Sequence, residues 1–450
     1  MAFVHVETLD VFLYGDFVGS IARHPHRSVY SFEYDPLWIR NGVSISPIFL
    51  PLKFGEQYFP DLSPEVYRRL PAAIADALPD RFGNRLIDEK LQSMGVRPDS
   101  VTALDRLVYT GDRAMGALEF RPAGSLGREP KGAIELAKMV GIARDALTGS
   151  IANDRESKSA LRQLLSVGTS AGGARAKAVI NIDPVTDEIT SGQRPERGKC
   201  SWLLKFDGVG DDAGLGETRM YGRIEYAYSL MAKAAGMDMP ETRLLTEGGR
   251  AHFMVRRFDR TSVSPQELPQ KIHMQSLCAM GHIDYNMIHM NEYSDLFSVI
   301  RRLDLGENAE TEAFRRMAFN HLAMNCDDHS KNFAFLMDNE GRWSLAPAYD
   351  ITFAYNSHNP WLREHLMGVD GKFADVTEKD LLAFAKQYGV PYAKKTLKEV
   401  RNALERWTEF SARAGIPKEA ADEIASRFCV AQKIACTPCT PNSVFLFQTR

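Results

Sequence analysis

The chain has 450 residues, of which 44% are apolar and 25% charged, and a net charge of −3. That length predicts two or three packed units of ordinary globular composition, and the charge excludes a broad electrostatic hold on nucleic acid or anionic lipid. The amino terminus lacks a basic segment followed by an apolar block, and no apolar run nears the roughly 18 residues of a membrane span, so a cytoplasmic protein without membrane contact is expected.

The first 60 residues read as strands: VETLDVFLYG and DFVGSIAR flank a turn, and SVYSFEYD follows. SPEVYRRLPAAIADAL predicts a helix with Ser63 as N-cap and Pro64 at its first position. A second helix runs through LIDEKLQSMG and stops at Gly95. GSLGREPKG, residues 124–132, is a connector, and AIELAKMVGIARDAL after it is helical. KAVINID, SWLLKFD, TRLLTE and AHFMVRRFD then predict short strands, with one helix among them at 221–236 closed by Gly236. RTSVSPQELPQ precedes a helical remainder in which Phe314, Met317, Ala318 and Leu322 keep helix spacing. Strand-rich followed by helix-rich is an α+β plan, with a ligand site where the two meet. Six cysteines are spread thinly, as in a reducing compartment; Cys436 and Cys439 form a CxxC without the second pair that a zinc site of that kind needs.

Four features carry chemistry. SVGTSAGGARAKAVI places Gly168, Gly172 and Gly173 before a strand, where backbone N–H groups can approach a phosphate without a Cβ in the way. In SWLLKFD, Trp202, Leu204 and Phe206 face one side and Leu203 and Lys205 the other. A lysine among apolar residues needs an anion, and Glu225 on the following helix is the candidate. A strand lysine paired with a helix glutamate after a glycine-rich loop grips ATP phosphates in protein kinases. In NCDDHSKNF, Asp327 and Asn332 have the spacing of the kinase HRDxxxxN loop, in which the aspartate orients the accepting hydroxyl and the asparagine holds a metal ion.

A hairpin from FAFLM through the turn DNEG to RWSLAP would return Asp350 to the side of Asn332, making an Asn/Asp pair for magnesium. The ordered set predicts ATP-dependent phosphoryl transfer. His329 reads as a buttress of the loop near ATP, Lys331 either as a cation for the transferring group or as a solvated residue, and Asp328 as an exposed neighbour. AHFMVRRFD reads as a hinge at which adenine meets the backbone of Arg256 and Phe258.

The succession SAGGARAK, LLKFD, EY, VRRFDR, CDDHSKNF and APAYDI resembles the HipA family of serine/threonine kinases, the toxin halves of toxin–antitoxin pairs. LPDRFGNRLI (78–87) and YTGDRAMGALEF (109–120) are similar to that family's N-terminal subdomain. The resemblance implies an atypical protein-kinase-like, two-lobed α+β fold: a β-rich N-terminal subdomain over 1–125, an N-lobe over 133–265 and an all-helical C-lobe over 266–450. It implies Asp327 as the catalytic aspartate, Asn332 and Asp350 as Mg2+ ligands and Lys205 as the ATP lysine. It also implies self-phosphorylation in the glycine-rich loop, at Ser170 or at the nearby Ser166 or Thr169, which would switch the enzyme off. The implied partners are a helix-turn-helix antitoxin of HipB type, DNA only through that antitoxin, and a protein substrate such as an aminoacyl-tRNA synthetase. Relatives commonly carry a small residue where this chain has Asp328. Two other readings use the same residues. One is a small-molecule phosphotransferase of the aminoglycoside- or lipid-kinase type, which lacks the N-terminal 120 residues; the other is a catalytically silent corepressor.

Overall fold

The computed structural model describes residues 3–122, 175–192, 194–207, 220–247, 249–261 and 267–429. Gly168, Gly172, Gly173, the candidate phosphosites Ser166, Thr169 and Ser170, the segment 124–147, and Cys436 and Cys439 lie outside them.

Alternating apolar residues build the first sheet, antiparallel in the order β3-β2-β1-β4, from β1 (Thr8–Leu13), β2 (Asp16–Arg23), β3 (Tyr30–Tyr34) and β4 (Leu118–Pro122). Leu9, Val11 and Leu13 all point to its buried face, as the period of two requires. A short helix α1 (Pro36–Asn41) follows, capped by Asp35. The single helix expected over 63–78 is two pieces, α2 (Pro64–Tyr67) and α3 (Ala72–Ala75). Ser63 does cap the first, but Arg68 and Arg69 turn left-handed, with φ of 51° and 65°, ahead of Pro71, which has no N–H to continue a helix. Two more helices complete the unit, α4 (Arg81–Gln92) and α5 (Ala103–Thr110).

The central sheet is antiparallel in the order β6-β5-β7-β9-β8, from β5 (Lys177–Ile182), β6 (Ile189–Ser191), β7 (Cys200–Lys205), β8 (Thr242–Glu247) and β9 (Arg250–Arg256). Phe82, Leu86, Ile87 and Leu91 of α4 pack on its Trp202, Leu204 and Phe206 face, so the N-terminal unit roofs this sheet. Helix α6 (Tyr221–Ala234) lies against β9 at Gly222, where a Cβ would stand 2.1 Å from the Ala251 carbonyl oxygen.

The remainder is helix-rich rather than all-helical. The hairpin expected after the NCDDHSKNF loop is present as β11 (Ala334–Met337) and β12 (Trp343–Leu345), and β10 (His273–Ser276) pairs with β11 to make a third sheet. Around it pack α7 (Leu277–Gly281), α8 (Tyr293–Arg302), α9 (Gly306–Leu322), α10 (Glu378–Gln387), α11 (Ala393–Glu405), α12 (Trp407–Arg413) and α13 (Lys418–Ala425). Phe314, Met317, Ala318 and Leu322 of α9 are buried at the centre of the largest core, as their spacing predicts. Among the described residues no helix is long and apolar enough to cross a membrane.

Among the described residues, polar seams join the N-terminal unit to the rest of the chain, two of them densely hydrogen-bonded. At the first, Ser276 gives its N–H and hydroxyl to the Asp76 carboxylate at 2.6 and 2.7 Å, and Tyr67 donates to the Cys278 carbonyl at 3.0 Å. The second is built from VRRFDR: Asp259, fully buried, accepts from Arg257, Arg260 and the Gly116 N–H, while both arginines also reach the Ala114 carbonyl.

His273 sits in the first seam with Nε2 2.8 Å from the Ile45 carbonyl, and burial pulls its pKa down to about 4. Neutral when folded but titrating near 6.5 when unfolded, it adds stability above that pH that is lost as pH falls toward 4. At about 1.4 kcal/mol per unit the loss reaches about 3 kcal/mol. Asp80, its carboxyl pushed up to about 6 by burial, works in the opposite direction over part of that window. The difference between wild type and His273→Gln, followed as Tm against pH, isolates the histidine: the variant has the flatter acid limb.

Candidate active site

Lys205 lies on β7 directly opposite Lys177 of β5, on the face turned away from α4. Its ammonium is buried and held 2.5 Å from Glu225 Oε1 on α6 and 2.6 Å from Asp350 Oδ1. Burial pulls the ammonium's pKa down, but Asp350 and Glu225 outweigh it and hold Lys205 charged. Burial likewise pushes the Asp350 carboxyl up, and Lys205, Lys177 and His329 bring it below its usual value. The pairing expected from SWLLKFD and the α6 helix is therefore present, with Asp350 as a second anion.

Asp350 has φ of 54°, a left-handed conformation that aspartate tolerates better than most residues. Two contacts tie its segment to the NCDDHSKNF loop. Tyr349 donates to the Lys331 carbonyl at 2.7 Å, and Asn325 and Ala354 form a parallel bridge, with Cys326 N–H on the Ala354 carbonyl at 3.2 Å. The hairpin thus returns Asp350 to the loop, as its turn chemistry predicts.

Within the loop, Asn332 Nδ2 donates to the Asp327 carbonyl at 2.7 Å, which closes the turn and leaves the amide oxygen as Asn332's remaining acceptor. Asp327 Oδ1 is buried without a hydrogen-bond partner, an arrangement that costs free energy unless a hydroxyl or cation meets it. His329 Nε2 stands 3.8 Å from that oxygen and its ring packs on Tyr285 at 5.4 Å. His329 faces the carboxylate as a neighbouring polar group. Its Nδ1 is buried and also lacks a partner, so it does not buttress the loop by hydrogen bonds.

Three expectations are corrected. Asp328 is 1% exposed, not a surface neighbour. It accepts from Tyr293 Oη at 2.8 Å, His365 Nδ1 at 3.0 Å and the Leu366 N–H at 2.8 Å, which pins the loop to the helical core. Lys331 turns toward the N-terminal unit: its Nζ lies 5.0 Å over the Tyr285 ring, and its side chain borders a small gap with Tyr67, Asp76 and Cys278. Burial pulls its pKa down, and Cys278 with the acids Asp76 and Asp80 keeps it raised. The backbone N–H of Arg256 is already given to the Glu241 carbonyl at 2.8 Å, so it is not open to adenine; Phe258 packs against Tyr349 at 5.8 Å, beside the Asp350 segment.

Sequence reasoning missed two further charge pairs. Lys177 Nζ lies 3.2 Å from Asp80 Oδ2, both buried, and Arg175 Nη1 lies 3.7 Å from Glu225 Oε2. The two-residue alternation of KAVINI could have placed Lys177 beside Lys205, but the Asp80 partner, an N-cap of α4, gives no signal in its own stretch. Two adjacent buried lysines suit a polyphosphate, and oxygen donors from Asn332, Asp350 and Asp327 suit a hard divalent cation. The residues present therefore fit a metal–nucleotide.

Comparison with known proteins matches residues 9–121 to the HipA N-terminal domain and residues 169–433 to the HipA-like C-terminal domain. The chain is 24% identical to the protein named "Putative kinase Y4mE" of Sinorhizobium fredii, over 86% of each chain. It is 29% identical to a "Putative kinase" of Haemophilus influenzae, over 28% of this chain and 39% of that protein. Its fold is similar to that of a Shewanella oneidensis MR-1 structure described as a toxin–antitoxin system of HipA, HipB and its operator DNA. The TM-score is 0.65 at 17% identity, covering 93% of this chain and 94% of that one.

Proposed function

Because the chain belongs to the HipA family, matching models of that family's N-terminal and C-terminal domains, we propose that it is an ATP-dependent serine/threonine protein kinase of two lobes, the toxin of a toxin–antitoxin pair. The observation that carries the proposal is the charge cluster Lys205–Glu225–Asp350 tied to a loop whose Asp327 Oδ1 has no hydrogen-bond partner. In this reading Lys205, with Lys177 beside it, takes the ATP phosphates, and Glu225 orients Lys205. Asn332 and Asp350 hold magnesium, which when bound neutralises charge on the transferring phosphoryl group. Asp327 Oδ1 accepts the hydrogen of a serine or threonine hydroxyl as that oxygen bonds to the γ-phosphorus, while the bond to the bridging oxygen breaks and ADP departs.

Ser170 belongs to the glycine-rich loop, and phosphate there would put a charge of about −1.5 to −2 where ATP phosphates bind. Self-phosphorylation would then inactivate the enzyme. The Shewanella complex supports a HipB-type helix-turn-helix antitoxin as partner, with DNA reached through it. The protein substrate is of the class of aminoacyl-tRNA synthetases on the family resemblance alone.

Incubating the full chain with Mg-ATP and measuring intact mass tests the reading. One added phosphate is expected at Ser170, and none in Lys205→Ala. Wild type that neither gains phosphate nor transfers it to any lysate protein would overturn it.

A further inference from the structure

Where the NCDDHSKNF loop meets the core, four side chains with metal-binding chemistry come together. His321, Asp328 and His365 are 3, 1 and 4% exposed, and one donor atom of each lies within 4.8 Å of the others. Cys326, fully buried, places Sγ 3.8 Å from His365 Nε2. The imidazoles of His321 and His365 lie side by side with centroids 3.8 Å apart, and His321 Nε2 is buried with no hydrogen-bond partner. A buried imidazole nitrogen left without a partner is a cost that a bound cation would remove.

The donors also define the ion. Two imidazoles with a thiolate suit zinc and its neighbours, whereas magnesium and calcium take oxygen ligands. Asp328 accepts from His365 Nδ1 at 3.0 Å, leaving Nε2 for a metal; a carboxylate on the far nitrogen of a ligating histidine fixes its tautomer and orientation. Zinc bonds of about 2.0–2.1 Å to nitrogen and 2.3 Å to sulfur are shorter than the present spacing requires, so binding would draw the side chains inward.

We propose that His321, Cys326 and His365, with Asp328 orienting His365, form a structural site for a zinc-class cation. Cys326 and Asp328 flank Asp327 in the chain, so an ion there would hold the backbone on both sides of that residue. This site is distinct from the magnesium–nucleotide site at Asn332 and Asp350, and it stands whether or not the chain is a kinase.

The test is metal content of the full chain produced with zinc present, followed by replacement with cobalt. One equivalent of zinc is expected, and a thiolate-to-cobalt absorption band after replacement. Cys326→Ser should abolish the band, and His321→Ala should weaken metal affinity about 10-fold or more. Circular dichroism and the melting profile of each variant separate loss of metal from loss of fold. The Cys436→Ser/Cys439→Ser double variant should retain the full equivalent. A chain that binds no zinc or cobalt, or one whose metal is lost in the double variant but kept in Cys326→Ser and His321→Ala, overturns the proposal.

Discussion

Asp327→Asn will lower phosphoryl transfer by about 10²–10⁴-fold and leave the fold intact. The two effects separate because Asn332 holds the backbone carbonyl of Asp327, not its carboxylate, so the amide closes the same turn. What the substitution removes is the acceptor at Oδ1, the buried oxygen with no internal partner. Asparagine presents a neutral oxygen there and can no longer take up the hydroxyl proton. Initial rates of self-phosphorylation read the loss, and a thermal melt superimposing on wild type shows that it is chemical. A variant with wild-type rates would remove Asp327 from the mechanism.

Asp259→Ala will destabilise the chain by about 3–5 kcal/mol. Asp259 is fully buried between Arg257 and Arg260, and its loss leaves two guanidinium groups together without their counter-ion. It also strips a partner from the Gly116 N–H, held at 2.6 Å. Burial would raise the Asp259 carboxyl, yet Arg257 and Arg260 outweigh it and hold it far below the usual carboxylate range. Its stabilisation is therefore present above about pH 4, the unfolded value, and is lost only as pH falls below that through the depressed folded value. Loss between pH 6.5 and 4 belongs instead to buried histidines whose pKa is lowered, His273 among them with His282 and His321. Denaturant titration at neutral pH measures the predicted shift.

Local patterns located the side chains that work on their own strand or loop. Alternation in SWLLKFD put Lys205 opposite the Trp202, Leu204 and Phe206 face, and the four-residue gap from Asp327 to Asn332 singled out two residues that the Asn332 amide does join. The same local view failed where burial is decided by distant chain. Nothing beside Asp328 announces Tyr293 and His365, and nothing beside Lys331 announces Asp76 and Asp80. Whether the Arg256 N–H is open depends on where β8 begins, since Glu241 takes it. The break between α2 and α3 is different: Pro71 is visible in the sequence, and the start signal of Ser63 and Pro64 predicts one helix through a proline that ends it.

The N-terminal unit and the remainder match separate family models, yet they do not behave as separate physical objects. Leu9, Val11 and Phe32 share one core with Cys278, Ala279 and Met337, and α4 covers the back of the sheet that carries Lys205. Cutting between the two matches would open apolar surface on both pieces. The two family matches thus share apolar cores rather than each enclosing one of its own. The Asp76 that ties down Ser276 also helps to keep Lys331 of the Asp327 loop charged, so one carboxylate serves both the seam and the loop.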